Sequence, residues 1–249
     1  MTAQTATGQT ATGQTAKGQS ANSLNADFSR PAAMDTAAMD WQASPSPTVW
    51  RKRLDLVDGE YSRVTSVVRY DANSAFHEHG HPQGEEILVL AGVFSDEHGD
   101  YPAGTFLLNP QGFRHAPFSK DGCIIFVKLC QFIGEDRDHV VIDTRHADWQ
   151  AAAPGVEVLP LYRDDRYPED IAMLRLAAGT PLPAAMIDAA AAPKGLEIFV
   201  VSGKLSEGSE HLGAGAWLRE PRGFQDGAAR RFTATADTTL YLKRNHLAA

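Results

Sequence analysis

Two short segments carry the side chains of this chain that could do chemistry. The first, HEHGHPQGEE, begins at His77, has histidines at every second position and ends in two adjacent glutamates. The second, PQGFRH, ends at His115. Imidazole nitrogens and a carboxylate together suit a divalent first-row metal such as Zn, Fe(II), Mn or Ni, and are too rich in nitrogen for Ca or Mg. The spacing must decide which of these side chains could hold a metal.

Strand geometry alone leaves that choice open. Successive side chains on a β-strand alternate between faces, so His77, His79 and His81 could all point into one barrel. The downstream spacing is more selective, because His79 and His81 are followed after three residues by Glu85 and then after six by a glycine. Another glycine precedes the PQGFRH turn by five residues.

The elements that position these segments are predicted to be short β-strands. Apolar, β-branched runs alternate with Gly, Pro, Asp and Asn, as in YSRVTSVVRY, EILVLAGVF, GCIIFVKLCQF, LEIFVVSG and TTLYLKR. Such runs with frequent turn residues are typical of an all-β sandwich or barrel. No long segment holds apolar residues at helical spacing, so we expect few and short helices.

An internal repeat organises these strands into two domains. EEILVLAGVF corresponds to LEIFVVSGKL, and GTFLLNPQGF to GAWLREPRGF, each pair being offset by 111 residues. VVRYDANS matches LRLAAGT with an offset of 106, which implies five extra residues in the second copy before Glu197. We predict two β-domains from one duplication, at residues 45–150 and 151–249.

Residues 1–44 are predicted to be a disordered, low-complexity tail. TATGQ recurs there in drifting copies, with too little apolar material to offset the entropy of ordering the chain. The segment has neither a basic start nor an apolar core, so it does not resemble a secretory signal, and we expect a cytoplasmic protein.

Composition narrows the classes of partner. A formal net charge of -8 and a pI near 5.6 argue against nucleic acid, whose binding needs clustered Lys and Arg. The sequence has no apolar run of roughly 18 residues or more, so we expect no transmembrane helix and no membrane partner. Two cysteines are too few for a disulfide framework.

The spacing of the candidate ligands resembles the two sequence motifs of the cupins. In those motifs, G(x)5HxH(x)3-4E(x)6G and G(x)5PxG(x)2H(x)3N, the metal ligands match His79, His81, Glu85 and His115. The sequence departs from the motifs in two places, with Asn73 at the first glycine and Ser119 at the closing asparagine. Asparagine tolerates the positive φ that a glycine supplies.

The resemblance is closer to one branch of the cupins. RVTSVVRY, GEEILVLAGVFSDEHGDYPAGTF and GCIIFVKL are similar to the cupin domain of the anti-sigma factor ChrR and to ChrR-like cupin proteins, strongly over residues 48–145 and weakly in the second copy. This resemblance implies two double-stranded β-helix (jelly-roll) barrels, a bicupin, with one divalent transition metal per chain. Zn and Fe(II) are the first choices, and Mn and Ni are alternatives.

Several other side chains near the motif are expected to have structural roles. Glu86 faces away from Glu85 on a strand, which favours an ion pair over ligation. His77 is interpreted as a rim or surface histidine, with contact to the metal or substrate as the alternative, and His98 in SDEHGD lies in a turn. Cys123 fits a small core residue better than a redox-sensitive thiol.

The second copy lacks the ligand pattern. No histidine lies between His146 and His211, Leu196 stands at the position of Glu85, and Asp226 stands at that of His115. We therefore expect a degenerate second barrel that binds no metal in this manner.

Three functions remain open. The resemblance to ChrR-like cupins implies a regulatory role in sensing oxidative stress, although the expected N-terminal zinc-binding anti-sigma module is missing, since no Cys or His precedes His77. The main alternative is an Fe(II) dioxygenase similar to acetylacetone-cleaving cupins, and the third is a module braced by its metal. Sensing is slightly favoured, and no catalytic residue is assigned. A small-molecule ligand or a reactive oxygen species is the expected partner, and both a monomer and a homodimer fit a fused pair of cupins.

Overall fold

The chain folds almost entirely into β-strands. Its structure, a computed structural model, describes residues 23–58, 62–134, 136–224 and 231–247. The strands in the first half are β1 (Ala32–Asp35), β2 (Gln42–Ala43), β3 (Val49–Leu56), β4 (Val64–Tyr70), β5 (Ser74–Ala75), β6 (His79–Gly80), β7 (Glu85–Asp96), β8 (Gly99–Pro102), β9 (Thr105–Asn109), β10 (Arg114–His115), β11 (Phe118–Ser119), β12 (Cys123–Leu129) and β13 (Val140–Asp143). The strands in the second half are β14 (Gln150–Ala153), β15 (Val156–Arg163), β16 (Asp170–Leu176), β17 (Leu196–Ser202), β18 (Lys204–Glu207), β19 (Glu210–Gly213), β20 (Ala216–Glu220), β21 (Thr233–Ala234) and β22 (Thr238–Arg244).

Helical structure in the described chain is limited to a 3-10 turn over Thr36–Ala38 and a short helix α1, Ala184–Ile187. None of the described helices is long and apolar enough to cross a membrane.

Two antiparallel sheets of matching strand order form the main walls of two barrels. The first sheet has the order β13-β9-β7-β12-β4-β3-β2 and the second has the order β1-β20-β17-β22-β16-β15-β14. Position by position, β7 corresponds to β17, β12 to β22 and β4 to β16. Strands β5, β6, β8, β10 and β11 complete the first barrel, and β18, β19 and β21 complete the second. The prediction of an all-β fold with two double-stranded β-helix barrels is confirmed.

Strand β12 shows why these sequences are apolar on both faces. Cys123, Ile125 and Val127 belong to the interior cluster of the first barrel. The alternate residues Ile124 and Phe126 pack instead in a cluster shared by the two barrels. Because successive side chains point to opposite faces, a strand between a barrel interior and an interface has no face for water, and its sequence reads as a nearly continuous apolar run.

Each barrel is extended by the strand that precedes the other barrel in the sequence, and we call these two the exchanged strands. β1 pairs with β20 of the second barrel, and β13 pairs with β9 of the first. A threonine follows each exchanged strand and is held in the same way in both halves. Thr36 bonds to the Gly215 carbonyl oxygen through its backbone nitrogen at 3.1 Å and its hydroxyl at 2.9 Å, and Thr144 bonds to Gly104 at 3.0 Å and 2.7 Å.

The prediction of a disordered tail over residues 1–44 is wrong for its second half. Residues 23–44 form β1, the 3-10 turn and β2, so they are not part of a structureless segment, whereas residues 1–22 lie outside the described residues. The sequence contains the reason, because DTAAMDWQA at residues 35–43 repeats as DTRHADWQA at residues 143–151. The composition of residues 1–44 predicted disorder because it averages the low-complexity stretch with this ordered segment.

Aromatic side chains from both halves fill the interface. Phe126 of the first barrel stacks on Phe199 of the second with ring centroids 4.5 Å apart, and Tyr241 meets Phe126 edge-on at 5.3 Å. All three are fully buried. Such pairs contribute about 0.5–1.5 kcal/mol beyond the burial of their area.

Two of the buried ion pairs that cross the interface run in opposite directions. Glu86 of the first barrel accepts a bond of 2.6 Å from Lys243 of the second and a second bond from the Tyr241 hydroxyl. Lys128 of the first barrel donates to both oxygens of Glu197 of the second at 2.6 Å and 2.7 Å. Glu86 therefore lies in an ion pair, as its position opposite Glu85 predicted.

The surroundings of Glu197 keep that carboxylate charged. Burial alone would raise its pKa, but Lys128 and His246 beside it hold the pKa well below its usual range. The Trp217 indole also donates to Glu197 at 2.8 Å. The pairs thus satisfy charges that the interface would otherwise leave uncompensated.

We predict that Lys243→Met destabilises the protein by about 3–5 kcal/mol, because it leaves the Glu86 charge buried without its cation. The double change Glu86→Gln with Lys243→Met should cost less than Lys243→Met alone, since the amide is neutral and still accepts the Tyr241 hydroxyl. Urea unfolding measures both effects.

Arg145→Met is the matched control. It removes an ion pair of 2.8 Å with Asp143 whose side chains are 47% and 35% exposed, and should cost about 1 kcal/mol or less. Equal losses for Lys243→Met and Arg145→Met would show that the buried pair does not hold the barrels together.

Candidate metal centre

Strands β6 and β10, the turn after β6 and the start of β7 bring the predicted ligands to one end of the first barrel. His79 lies on β6 and His115 on β10, and the two residues are direct partners in the β6–β10 ladder. His81 lies in the turn after β6, and Glu85 begins β7. The separate sequence segments therefore meet because β6 and β10 pair.

Backbone conformation fixes the turn that carries these residues. Asn73, at the motif's first glycine position, has a φ of 60°, as its tolerance for positive φ predicted. Gly84, between His81 and Glu85, has a φ of 71°, and a Cβ there would lie 2.7 Å from the Phe132 carbonyl oxygen. Only glycine fits that position without moving the backbone.

The four side chains converge. Ring nitrogens of His79, His81 and His115 all lie within 4.8 Å of one another. The Nε2 atoms of His81 and His115 are 3.0 Å apart, and Glu85 Oε2 lies 3.4 Å from the first and 3.5 Å from the second. Three imidazoles that lie together, with a carboxylate beside two of them, form a donor set that fits a divalent transition metal.

Neighbouring groups orient three of these side chains, His115, His79 and Glu85. Asp96 Oδ2 lies 3.2 Å from His115 Nδ1, which leaves Nε2 free to face the centre. His79 Nδ1 lies 2.9 Å from the backbone carbonyl oxygen of His77, and Asn109 Nδ2 donates to Glu85 Oε2 at 2.9 Å.

Asp96 is itself fixed. Its Oδ1 accepts from the backbone nitrogens of His98 and Gly99 at 2.8 Å and 3.2 Å, and from the Tyr101 hydroxyl at 3.2 Å. Sequence reasoning assigned SDEHGD to a turn and missed Asp96, although an acid at the end of the strand that begins with Glu85 was a usable signal.

The electrostatics favour a cation at this point. Burial lowers the pKa of His81, which keeps that imidazole neutral and available as a ligand. Burial also opposes protonation of His115, but the hydrogen bond to Asp96 and the charges of Glu85 and Asp96 outweigh it and raise the pKa of His115. A site that attracts a proton through two carboxylates also attracts a metal cation.

The remaining candidates lie outside this group. The His77 side chain is exposed, and only its backbone carbonyl takes part. His98 is exposed in the turn between β7 and β8, where it contacts Phe113. Cys123 is buried, and burial raises its pKa to about 11, which favours its interpretation as a core residue over a reactive thiol.

Apolar side chains occupy the corresponding place in the second barrel. Leu196 stands at the position of Glu85, and Ala192 at that of His81, where it accepts the same turn bond from Gly223 that His81 accepts from Gly112. The extra residues before β17 include α1, whose Ile187 packs into the interior cluster. Asp226 lies outside the described residues, and the absence of metal from this barrel stays a prediction.

Comparison with known families gives a match over both halves of the chain. The family described as ChrR cupin-like domain matches residues 29–133 and 137–248. Each matched range begins at its exchanged strand, which is earlier than the predicted boundaries. A search of curated protein sequences found no match.

Solved structures share the fold at low sequence identity. A candidate dioxygenase from Nostoc punctiforme has a TM-score of 0.69 and 13% identity, over 89% of this chain and 85% of that one. The pirin YhhW from Escherichia coli, in complex with nickel(II), has a TM-score of 0.64 and 15% identity, over 88% and 100%. Oxalate decarboxylase from Bacillus subtilis, with its Mn(II) centres, has a TM-score of 0.56 and 10% identity, over 88% and 78%.

We predict that His81→Ala and His115→Ala each lower the bound metal well below about one ion per chain, because each change removes one of the three imidazole donors from the group. Elemental analysis of protein purified without a metal-binding tag provides the measurement. His98→Ala, which removes an exposed histidine of the same barrel, should keep the metal. Full metal content in both ligand variants would refute the site.

We predict that Asp96→Asn weakens metal binding by about 10- to 100-fold, because the amide no longer supplies the charged partner that orients His115. Competition for Zn(II) against a chromogenic chelator measures the affinity. Asp121→Asn changes an exposed aspartate before β12 and should leave the affinity unchanged. Equal affinities for both variants would remove Asp96 from the site.

Proposed function

Since the chain belongs to the family of ChrR cupin-like domains, we propose that its first barrel binds one divalent transition metal through His79, His81, Glu85 and His115 and uses it as a dioxygenase acting on a small oxygen-bearing substrate. Fe(II) is the metal this proposal requires. A similar fold in the candidate dioxygenase from Nostoc punctiforme supports the proposal without assigning the substrate.

Partial exposure of the ligand group is the observation that carries this proposal. His81 and His115 are only 6% and 1% exposed, whereas His79 is half-buried. A metal used only as a brace favours a closed tetrahedral shell, whereas catalysis needs a coordination position that a substrate can reach. A half-buried ligand beside two buried ones gives the site one accessible side.

The residues around the ligands have separate tasks. Bound Fe(II) would supply one-electron chemistry with oxygen and polarise a substrate carbonyl. Asp96 holds the proton of His115 on Nδ1, and Asn109 orients Glu85. The rings of Phe76 and Phe94 lie 6.0 Å from His79 and 6.1 Å from His115, so they exclude water from the inner side of the centre.

Regulation by oxidative stress is the second candidate, and the family match over both halves of the chain favours it. The high pKa of Cys123, about 11, argues against a response through that thiol. A sensor would therefore respond through its metal, for example by losing it when a reactive oxygen species attacks the ligands.

We predict that the protein loaded anaerobically with Fe(II) consumes oxygen when acetylacetone or a related β-diketone is added, with oxygen uptake matching substrate loss. The Zn(II)-loaded protein and the His115→Ala variant should consume none, because zinc has no redox chemistry. An oxygen electrode with product analysis measures both. No uptake with any diketone, together with metal release by hydrogen peroxide, would instead support sensing.

A further inference from the structure

Two polar side chains inside the first barrel have no role in the metal centre described above. Arg51 lies on β3, two residues after Val49, a member of the barrel's interior cluster. Side chains two apart on a strand share a face, so Arg51 points into the barrel. Tyr70 ends β4, is 7% exposed and pairs with Val49 across the β3–β4 ladder.

Tyr70 connects Arg51 with the metal ligands. Its ring centroid is 5.7 Å from that of Phe76 and 5.8 Å from that of Phe94, the two rings that border His79 and His115. Burial is the main reason that the pKa of Tyr70 is raised, and the charge of Glu85 raises this pKa further. The charge of Arg51 lowers it, so these three polar groups share one electrostatic environment.

Neither polar group has a hydrogen-bond partner in the part of the chain that the structure describes. The Arg51 guanidinium has no ion pair or hydrogen bond to a described residue, and the same holds for the Tyr70 hydroxyl. Arg53, its neighbour on the same strand, by contrast donates to Gln42 at 3.0 Å. Neither group is among the buried polar atoms that lack a partner, so the guanidinium and the hydroxyl remain accessible to an incoming ligand.

The second barrel shows that the fold does not require these residues. Arg51 pairs with Val68 on β4, and the corresponding pair on β15 and β16 is Val158 with Leu174. Leu176, 1% exposed, stands at the position of Tyr70 by the same register. The first barrel, which carries the candidate ligands, therefore also has Arg51 and Tyr70 in its interior. The second barrel, which lacks those ligands, has aliphatic residues at both positions.

We propose that Arg51, assisted by the Tyr70 hydroxyl, binds an anionic oxygen of the substrate, so that the metal centre acts on a small carboxylate or enolate rather than on a neutral molecule. This inference rests on the proposed function and names its substrate class. The planar guanidinium suits a carboxylate because it donates two parallel hydrogen bonds, and the protonated phenol adds a third. The substrate would lie between the guanidinium and the metal ligands.

Calorimetric titration of the Zn(II)-loaded protein tests this inference without turnover. The probe is malonate, a small dicarboxylate, and the matched uncharged probe is its dimethyl ester. We expect malonate to bind and the ester not to bind. Arg51→Met should weaken malonate binding on the order of 10- to 100-fold, and Tyr70→Phe by a smaller factor of about 5, because a charged hydrogen bond is stronger than a neutral one.

Arg69→Met is the matched control, since this guanidinium precedes Tyr70 on β4, faces the opposite side of the sheet and pairs with Asp71 at 3.1 Å, and the variant should bind malonate as the unchanged protein does. Elemental analysis must show equal zinc in all variants, so that a loss of binding is not a loss of metal. Unchanged binding in Arg51→Met, equal binding of acid and ester, or no binding of malonate would each overturn the proposal. Failure of the dioxygenase proposal would instead appear as absent oxygen uptake while Arg51-dependent malonate binding persists.

Discussion

The alternation of side chains at the start of β7 is the constraint on which the rest of the structure depends. Glu85 points into the barrel among three histidines, and Glu86, the next residue, points into the other barrel and meets Lys243. A shift of one residue in the register of this strand would exchange the two carboxylates and destroy both sites. The metal centre and the interface are therefore specified by the same strand and the same pairings.

Strand β7 reaches the centre twice. It begins at Glu85 and ends at Asp96, and both carboxylates contact His115, one at each ring nitrogen. A twelve-residue strand can do this only by bending around the barrel, and its partners change along its length from β9 and β12 to β8 and β11. The bend explains how residues far apart along one strand form a single site.

Much of the fold and most of the candidate site could be predicted from the sequence. Short apolar, β-branched runs bounded by turn residues predicted the strands, and the offset repeat predicted two barrels. The spacing of the candidate ligands predicted three histidines that do lie together, with Glu85 beside two of them. What was missed depends on tertiary pairing. Asn109 has no spacing rule that relates it to the ligands, and Glu86 and Lys243 lie 157 positions apart, so only the assembled interface shows that they meet.

The ordered segment before the first barrel was missed for another reason. The composition of residues 1–44 was averaged, and the low-complexity residues outweighed the short repeat DTAAMDWQA. A repeat reports structure more reliably than composition does, because a copy that pairs elsewhere in the fold must keep the residues that make the pairing. The exchanged strands also place the apolar interface inside one chain, so this pairing does not need a second copy.

The difference between the barrels follows from this shared interface. A barrel that carries unpaired polar groups, such as Arg51, loses stability that an apolar interior would have supplied. The second barrel has that apolar interior, including Leu176 and Leu196, and is bound to the first by stacked rings, exchanged strands and buried ion pairs. Duplication thus separates two demands that conflict in a single domain, because one copy stabilises the pair while the other keeps the polar interior that chemistry requires.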